Sequence, residues 1–397
     1  MNAANMPHLP DSVQSRASPR GVLFIRQQFT PFGGGELVLD RIISAMTAHG
    51  VRVSLLGRAW TGRKDIEFLC CDPPRFPRFS RERRFARLAC EIIARRADVL
   101  VQSHERLHCC DIFRAGDGVH AAFLEQRMRG LGWLSRRSLA LHPFHRTALA
   151  LEREMFSSTR LKVVLANSSM VADEIVRHFG FPRERIHLVP NGIDLGRFDT
   201  AARDRHRKVV RSAIGTQDAR PVALFVGSGY KRKGLDAAIA ALATSGIDAE
   251  LWIVGSDSRP GAYVASAYRA GIPADRLRLI GPVADPLPYY AAADVLILPS
   301  IYDPFPSTVL EALACGLPVV TSTACGAREI VARLDRGLVR DATDVAGLAE
   351  ALRLAFELAA RPATAAKARA IANDYSIDQM IDRMLSVYAA LGVGSHK

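Results

Sequence analysis

The chain has 397 residues and a formal net charge of +13, with 49% hydrophobic and 23% charged residues. That is globular composition, and it excludes a disordered or collagen-like chain. No apolar run reaches the ~18 residues of a membrane span. Residues 1–20 lack the apolar stretch of a secretory signal and read as a disordered tail.

At roughly 150 residues per domain, the length predicts two or three domains. The first predicted element is the apolar run at 21–25, a buried parallel strand. A Gly-rich turn follows from Pro31 to Gly35. A helix then begins at about Glu36, with Leu37, Ile42, Ile43 and Met46 on one face, and Gly50 stops it. Further strands are predicted at 51–56, 98–102, 162–166 and 185–189. This alternation argues for an α/β domain with a parallel sheet. The pattern breaks at Pro190-Asn191-Gly192-Ile193-Asp194 and across the polar stretch 200–220. It restarts with strands at 221–226, 251–254, 277–280, 295–298 and 318–321, and helices at 235–243 and 263–270. A last amphipathic helix spans 377–391. Two doubly wound halves therefore follow, with ligands expected at the carboxyl ends of strands and in the cleft between the domains.

The seven cysteines include the adjacent pairs Cys70-Cys71 and Cys109-Cys110 but no CxxC and no zinc spacing. They read as reduced thiols of a cytosolic protein. The charge is uneven. In the first 200 residues, 30 Lys and Arg stand against 20 Asp and Glu, so most of the excess lies there. No helix-turn-helix, zinc finger or RNA-binding signature is present, which argues against nucleic acid. Eight arginines between Arg75 and Arg96 are interleaved with Phe76, Phe79, Phe85, Leu88, Ile92 and Ile93. A second basic stretch from Arg127 to Arg146 contains Met128, Leu131, Trp133, Leu134, Leu139 and Phe144. Cations beside such residues suit an anionic membrane surface. A solvated helix face with core residues behind it, or a phosphate-bearing acceptor, fits them too.

Three constellations carry candidate chemistry. Gly227-Ser228-Gly229-Tyr230-Lys231-Arg232-Lys233-Gly234 sits where a strand ends and a helix begins. There small residues admit a ligand and cations suit a diphosphate. A solvated basic turn is the alternative, and the P-loop pattern is absent. The second is the run from Tyr302 to Pro318. Ser307 is placed to cap a helix begun by Pro306-Ser307-Thr308, while Asp303 and Glu311 offer carboxylates to ribose or sugar hydroxyls. A capped helix with an acidic face is the alternative. The third is Gly33-Gly34-Gly35, which is either a flexible loop or a close approach to a ligand.

The second half resembles the retaining glycosyltransferases of family four, which have the GT-B fold. The resemblance is carried, in order, by Val189-Pro190-Asn191-Gly192-Ile193-Asp194, the Gly227 to Gly234 segment, Tyr290-Ala291-Ala292-Ala293-Asp294-Val295 and the run from Glu311 to Val320. Phe29 to Gly34, Gly227-Ser228, Arg232-Lys233-Gly234 and Ala115-Gly116-Asp117-Gly118-Val119 resemble in particular the lipopolysaccharide core heptose glucosyltransferases. The resemblance implies an α/β, GT-B architecture of two Rossmann-like domains facing across a cleft. Its expected divisions are an acceptor domain at 21–195, a sugar-nucleotide domain at 196–374 and a final helix, 375–397, packing back on the first domain.

The same resemblance implies roles for individual residues. Arg232 and Lys233 neutralise the donor diphosphate, and Glu311 holds the donor ribose. Asp303 replaces the glutamate usual at its position, with the same charge and a shorter reach, facing the donor sugar. Gly33, Gly34, Gly227, Ser228, Pro306 and Ser307, with the backbone N–H groups of Thr308 and Val309, complete the donor contacts. Asp117 or His120 supplies an active-site acid, unless both are loop residues. The implied reaction is metal-independent retaining transfer from a nucleotide-diphosphate sugar, UDP by resemblance, to a lipopolysaccharide core or related surface glycan. The donor is a substrate and no cofactor is expected; no DxD triplet occurs in the chain. The expected location is the cytoplasmic face of the inner membrane. An epimerase or phosphorylase of the same fold, or a non-catalytic sugar-nucleotide-binding protein, are the alternatives.

Overall fold

β1 (Gly21–Ile25) is a five-residue apolar run buried along its whole length, as a central parallel strand covered on both faces must be. It pairs with β2 (Arg52–Gly57) on one side and β4 (Val99–Ser103) on the other, and Gly21 stands opposite both Arg52 and Val99. With β3 (Glu67–Cys70), β5 (Ile112–Ala115), β6 (Val163–Ala166) and β7 (Ile186–Leu188) it forms a seven-stranded sheet of order β3-β2-β1-β4-β5-β6-β7. Every pairing in it is parallel. The computed structural model describes residues 21–393 except 29–33, 49, 61–65, 75–79 and 97. The predicted tail, residues 1–20, and Gly33 lie outside the described residues.

The second sheet has six parallel strands: β8 (Val222–Val226), β9 (Glu250–Val254), β10 (Leu277–Gly281), β11 (Val295–Leu298), β12 (Val319–Ser322) and β13 (Val339–Arg340). Their order is β10-β9-β8-β11-β12-β13. In each sheet the strand order reverses beside the first strand, β1/β4 and β8/β11, which leaves a crevice at the carboxyl ends there. The chain divides into two compact units, residues 1–189 with 381–397, and residues 190–380. The final helix, Ile377–Ala390, contributes to both. In the first unit its Tyr388 is buried, and the hydroxyl donates to Gln102 Oε1 at 2.5 Å.

Three strands escape the hydrophobic-run criterion. β5 contains Arg114, whose guanidinium is buried and donates to the Val189 carbonyl at 2.6 Å. β3 is a half-exposed edge strand, and β13 has only two residues. The helix predicted from Glu36 starts at Gly34. The cysteines also depart from expectation, because Cys90 and Cys109 form a disulfide with their Cα atoms 5.7 Å apart. Cys90 lies in the helix Arg81–Ala94 and Cys109 follows β4, so only the packing of that helix brings the pair together. The other five cysteines are free thiols. Among the described residues, no helix is long and apolar enough to cross a membrane.

Candidate active site

In the second unit the chain leaves β8 through Gly227, with φ of +155°, and reaches the helix Leu235–Ser245 through Gly234, with φ of +80°. A Cβ on Gly234 would collide with the Pro299 carbonyl oxygen, and one on Gly227 would press on the Lys233 stem at 3.2 Å. Glycine is required at both on steric grounds. Between them, the Tyr230 N–H donates to Asp257 Oδ2 at 2.9 Å, and the Ser228 and Ser256 hydroxyls lie 3.1 Å apart. Asp257 and Ser256 fix the shape of this turn, and neither had a sequence signal beyond following a strand.

The two cations converge on one carboxylate. Lys233 Nζ lies 2.5 Å from Asp303 Oδ2, and Arg232 reaches the same oxygen at 3.4 Å. Asp303 and the Lys233 side chain are largely buried, whereas the Arg232 side chain is 42% exposed. The Asp303 backbone is pinned as well: its N–H donates to the Ala324 carbonyl and its carbonyl accepts from the Gly326 N–H. Two cations against one carboxylate leave one net positive charge at the strand ends.

Glu311 stands on the helix Ser307–Ala314 and accepts from the Tyr290 hydroxyl at 2.7 Å. Burial pushes the Glu311 carboxyl above its ordinary value. The Tyr290 hydrogen bond and the fields of Arg197 and Lys233 oppose that rise. Tyr290 itself is fully buried and its phenol is raised well above its ordinary value, again mainly by burial. The start of this helix corrects the expected cap. Pro306 occupies the cap position without a side-chain hydrogen bond, and Ser307 is the first helical residue. The Val309 N–H is already used, donating to the Pro306 carbonyl at 3.1 Å. The Thr308 hydroxyl is buried with no partner in the structure. Asn191 Nδ2 donates to the Phe305 carbonyl at 3.1 Å, so the Asn-Gly motif steadies the loop that carries Asp303 and Pro306.

In the first unit Asp117 is exposed on the turn between β5 and the helix His120–Met128. His120 is buried, with Nε2 3.0 Å from His145 Nδ1. Burial first, then the neighbouring Arg106 and His145, push its imidazole down to about 3. It is therefore neutral at physiological pH, and its low proton affinity makes it a poor proton acceptor there. Close by, Glu105 accepts from the Gln27 N–H at 2.9 Å and from Gln27 Nε2 at 3.1 Å. Burial raises the Glu105 carboxyl, with Asp117 among the charges acting on it. Gly34 is the first residue of its helix.

Known proteins share this architecture. Residues 207–372 match the family of glycosyl transferases group 1, and residues 32–197 match glycosyltransferase family 4. The lipopolysaccharide glucosyltransferase WaaG of Escherichia coli (strain K12) is 27% identical over 326 residues, which cover 80% of this chain and 84% of WaaG. A probable transglycosylase of Burkholderia thailandensis is 30% identical over 371 residues, 90% of this chain and 94% of its own. The crystal structure of WaaG, a glycosyltransferase involved in lipopolysaccharide biosynthesis, matches with a TM-score of 0.77 at 25% identity, covering 92% of this chain and 99% of that one. Anabaena HepE in complex with UDP-glucose matches in fold, with a TM-score of 0.69 at 20% identity over 93% and 99% of the two chains.

The chain belongs to the group 1/family 4 glycosyltransferases of the GT-B fold. On this glycosyltransferase the two basic stretches differ. In the helix Arg81–Ala94, Phe85 and Ile93 are core residues, Arg83 pairs with Glu154 and Arg87 with Glu91. That helix is an ordinary amphipathic one, which favours the solvated face with core residues behind it over the membrane reading for this stretch. Phe76 and Phe79 lie outside the described residues. The helix Trp133–Leu141 is the opposite case and has no buried residue. Trp133 is 69% and Leu134 65% exposed, with Leu141 and Phe144 also exposed beside Arg136 and Arg137.

Proposed function

We propose that this glycosyltransferase is a retaining, metal-independent hexosyltransferase. In this reading it moves a sugar from a nucleotide-diphosphate sugar, UDP-linked, to a lipopolysaccharide core or related surface-glycan acceptor, with no cofactor. The observation that carries the reading is the Lys233–Asp303–Arg232 cluster at the glycine-lined end of β8. When the anomeric carbon–oxygen bond breaks, negative charge develops on the leaving diphosphate. Preorganised cations stabilise that charge as it forms. Arg232 and Lys233 turn from Asp303 to the diphosphate, and the released Asp303 faces the sugar hydroxyls. Glu311, oriented by Tyr290, accepts from the ribose. The acceptor hydroxyl attacks from the leaving-group face and passes its proton to a phosphate oxygen or to Asp117, which gives retention without a covalent intermediate.

UDP as the nucleotide is supported by the relationship to WaaG, named as a glucosyltransferase, and by a fold shared with a structure that holds UDP-glucose. We further propose that the enzyme works peripherally on the cytoplasmic face of the inner membrane, held there by the exposed Trp133, Leu134, Leu141 and Phe144 with their arginines. Apolar side chains ringed by cations suit the headgroup boundary of anionic lipids. In a sedimentation assay, salt-sensitive binding to anionic vesicles and weak binding to neutral ones is expected, lost in Trp133→Ser/Leu134→Ser. Equal binding to both lipids, or none, overturns the membrane reading.

The central test is a thermal-shift screen of UDP-, GDP- and ADP-sugars, followed by mass detection of transfer to truncated lipopolysaccharide. A ligand that binds the native state raises stability by mass action. UDP-sugars are expected to raise the melting temperature, and one of them to add a hexose to the acceptor. Stabilisation without transfer or donor hydrolysis points instead to a non-catalytic sugar-nucleotide-binding protein.

A further inference from the structure

Asp117 stands on a turn whose two flanks are held by side chains from distant parts of the chain. On the upstream side, Ala115 and Ala166 are paired residues of the parallel strands β5 and β6, so Gly116 and Asn167 are the next residues along neighbouring strands. Asn167 is fully buried, and its Nδ2 donates to the Gly116 carbonyl at 3.0 Å. Its Oδ1 is buried without a partner. The single hydrogen bond shown for this buried amide thus goes to the backbone beside Asp117, and an apolar residue there would leave the Gly116 carbonyl without that donor.

On the downstream side, Glu152 from the helix Pro143–Phe156 is 2% exposed and takes over the start of the helix His120–Met128. It accepts from the His120 N–H at 2.6 Å and the Ala121 N–H at 3.3 Å. Val119, at the cap position of that helix, offers no side-chain cap of its own. Glu152 is anchored in turn by Arg106 Nε at 3.2 Å, and Arg106 lies in the combined field of Glu152, Glu82 and Asp117. Between the two flanks Gly118 adopts φ of +74°, which closes the turn, and both Gly118 and Val119 are buried. Of the three bridging residues only Asp117 is exposed.

We infer that Asn167 and Glu152 are positioning residues of this glycosyltransferase, and that together they form a rigid mount presenting the Asp117 carboxylate. The inference rests on the proposed role of Asp117 as the proton acceptor of transfer. The mount explains how an exposed carboxylate on a loop keeps a fixed place. Without it the turn is free to move by an ångström or more, enough to cost on the order of 100-fold in rate.

Two measurements on the full chain test the mount and its purpose separately. The first is amide hydrogen exchange over residues 116–121. Asn167→Ala and Glu152→Ala are expected to speed exchange there while UDP binding, which reports on the second unit, stays unchanged. Glu152→Gln, which keeps one acceptor, is expected to restore part of the protection. Unchanged exchange in both alanine variants overturns the mount. The second is turnover of UDP-glucose with truncated lipopolysaccharide. Asn167→Ala is expected to lower kcat about 10-fold to 100-fold with the donor KM unchanged. The same change in an Asp117→Asn background is expected to lower it no further. Equal losses in both backgrounds show that Asn167 acts on the fold rather than through Asp117, and overturn the positioning role. If Asp117→Asn alone leaves turnover intact, the proton-acceptor assignment fails, while the exchange data still judge the mount.

Discussion

The two units prepare their charged groups in opposite ways. In the second unit, the side chains of the candidate site hold one another: Lys233 and Arg232 close on Asp303, and Tyr290 closes on Glu311. In the first unit, Asp117 is exposed and the surrounding polar side chains grip the backbone beside it. The difference matches the chemistry proposed for each. A diphosphate arrives as a whole anion and can displace a carboxylate from two cations. A single proton acceptor gains more from fixed placement than from a partner it must first release.

The largest effect expected from breaking this contrast is in the second unit. Lys233→Ala removes the shortest cation–carboxylate contact and leaves Asp303 buried beside a single, partly exposed arginine. Losing one preorganised charge-stabilising group costs ~10²–10³-fold in kcat, and the double change Arg232→Ala/Lys233→Ala is expected to abolish transfer. Lys233→Arg keeps the charge on a longer, planar group and is expected to recover only part of the rate. Steady-state kinetics on a UDP-sugar decide it. Unchanged turnover in the double variant removes the diphosphate assignment.

A second prediction, on pH, bears on the first unit. The folded His120 imidazole sits near 3, against an ordinary value of 6.5. Between these values the unfolded chain binds a proton that the folded chain refuses. Stability therefore falls as pH drops from about 6.5 toward 3, by up to ~1.4 kcal/mol per pH unit for each such group. His104 behaves in the same way, pushed down to about 3 by burial and by Arg26 and Arg114. Denaturant titrations from pH 7 to pH 4 are expected to show the decline in the wild type, and a shallower one in His120→Phe. Identical slopes would mean that His120 takes up its proton without unfolding, which returns it to contention as the proton acceptor.

Much of the second unit is readable from contiguous residues. The glycines around β8 meet the steric demands of a strand-to-helix turn, and the basic triplet and the run from Asp303 to Glu311 each lie on one short segment. Reading fails where a property depends on distant chain. Ser307 looks like a helix cap, but it is the first helical residue, and Pro306 occupies the cap position without a side-chain hydrogen bond. Asn167 and Glu152 are unremarkable in sequence because their partners, Gly116 and His120, lie 51 and 32 residues away. The Cys90–Cys109 disulfide depends in the same way on a helix packing back across the sheet. Burial also distinguishes the two basic stretches. Both alternate arginine with apolar residues, and only the fold reveals that Phe85 points inward while Trp133 points out.

The smallest expected effect sharpens the second unit itself. Tyr290→Phe removes one oxygen and leaves the buried ring in place. Its hydroxyl donates to Glu311 Oε2, the bond that holds the carboxylate against the upward push of burial. A hydrogen bond to a charged group contributes ~1.5–3 kcal/mol. Part of that returns when the ribose hydroxyls supply new donors to the same oxygens. The expectation is a rise of about five-fold in donor KM, near 1 kcal/mol by the same scale, with kcat unchanged because the proposed partner of Glu311 is the ribose and not the breaking bond. Losing the donor also lets burial raise the Glu311 carboxyl further. The protonated carboxyl accepts ribose hydroxyls poorly, so the variant's donor affinity should begin to fall at a higher pH than the wild type's. Donor KM measured from pH 8 down to pH 5 separates the two outcomes. If the curves of wild type and variant are parallel, Tyr290 packs against Glu311 without tuning it, and the side-chain pairing that distinguishes the second unit reduces to the Asp303 cluster alone.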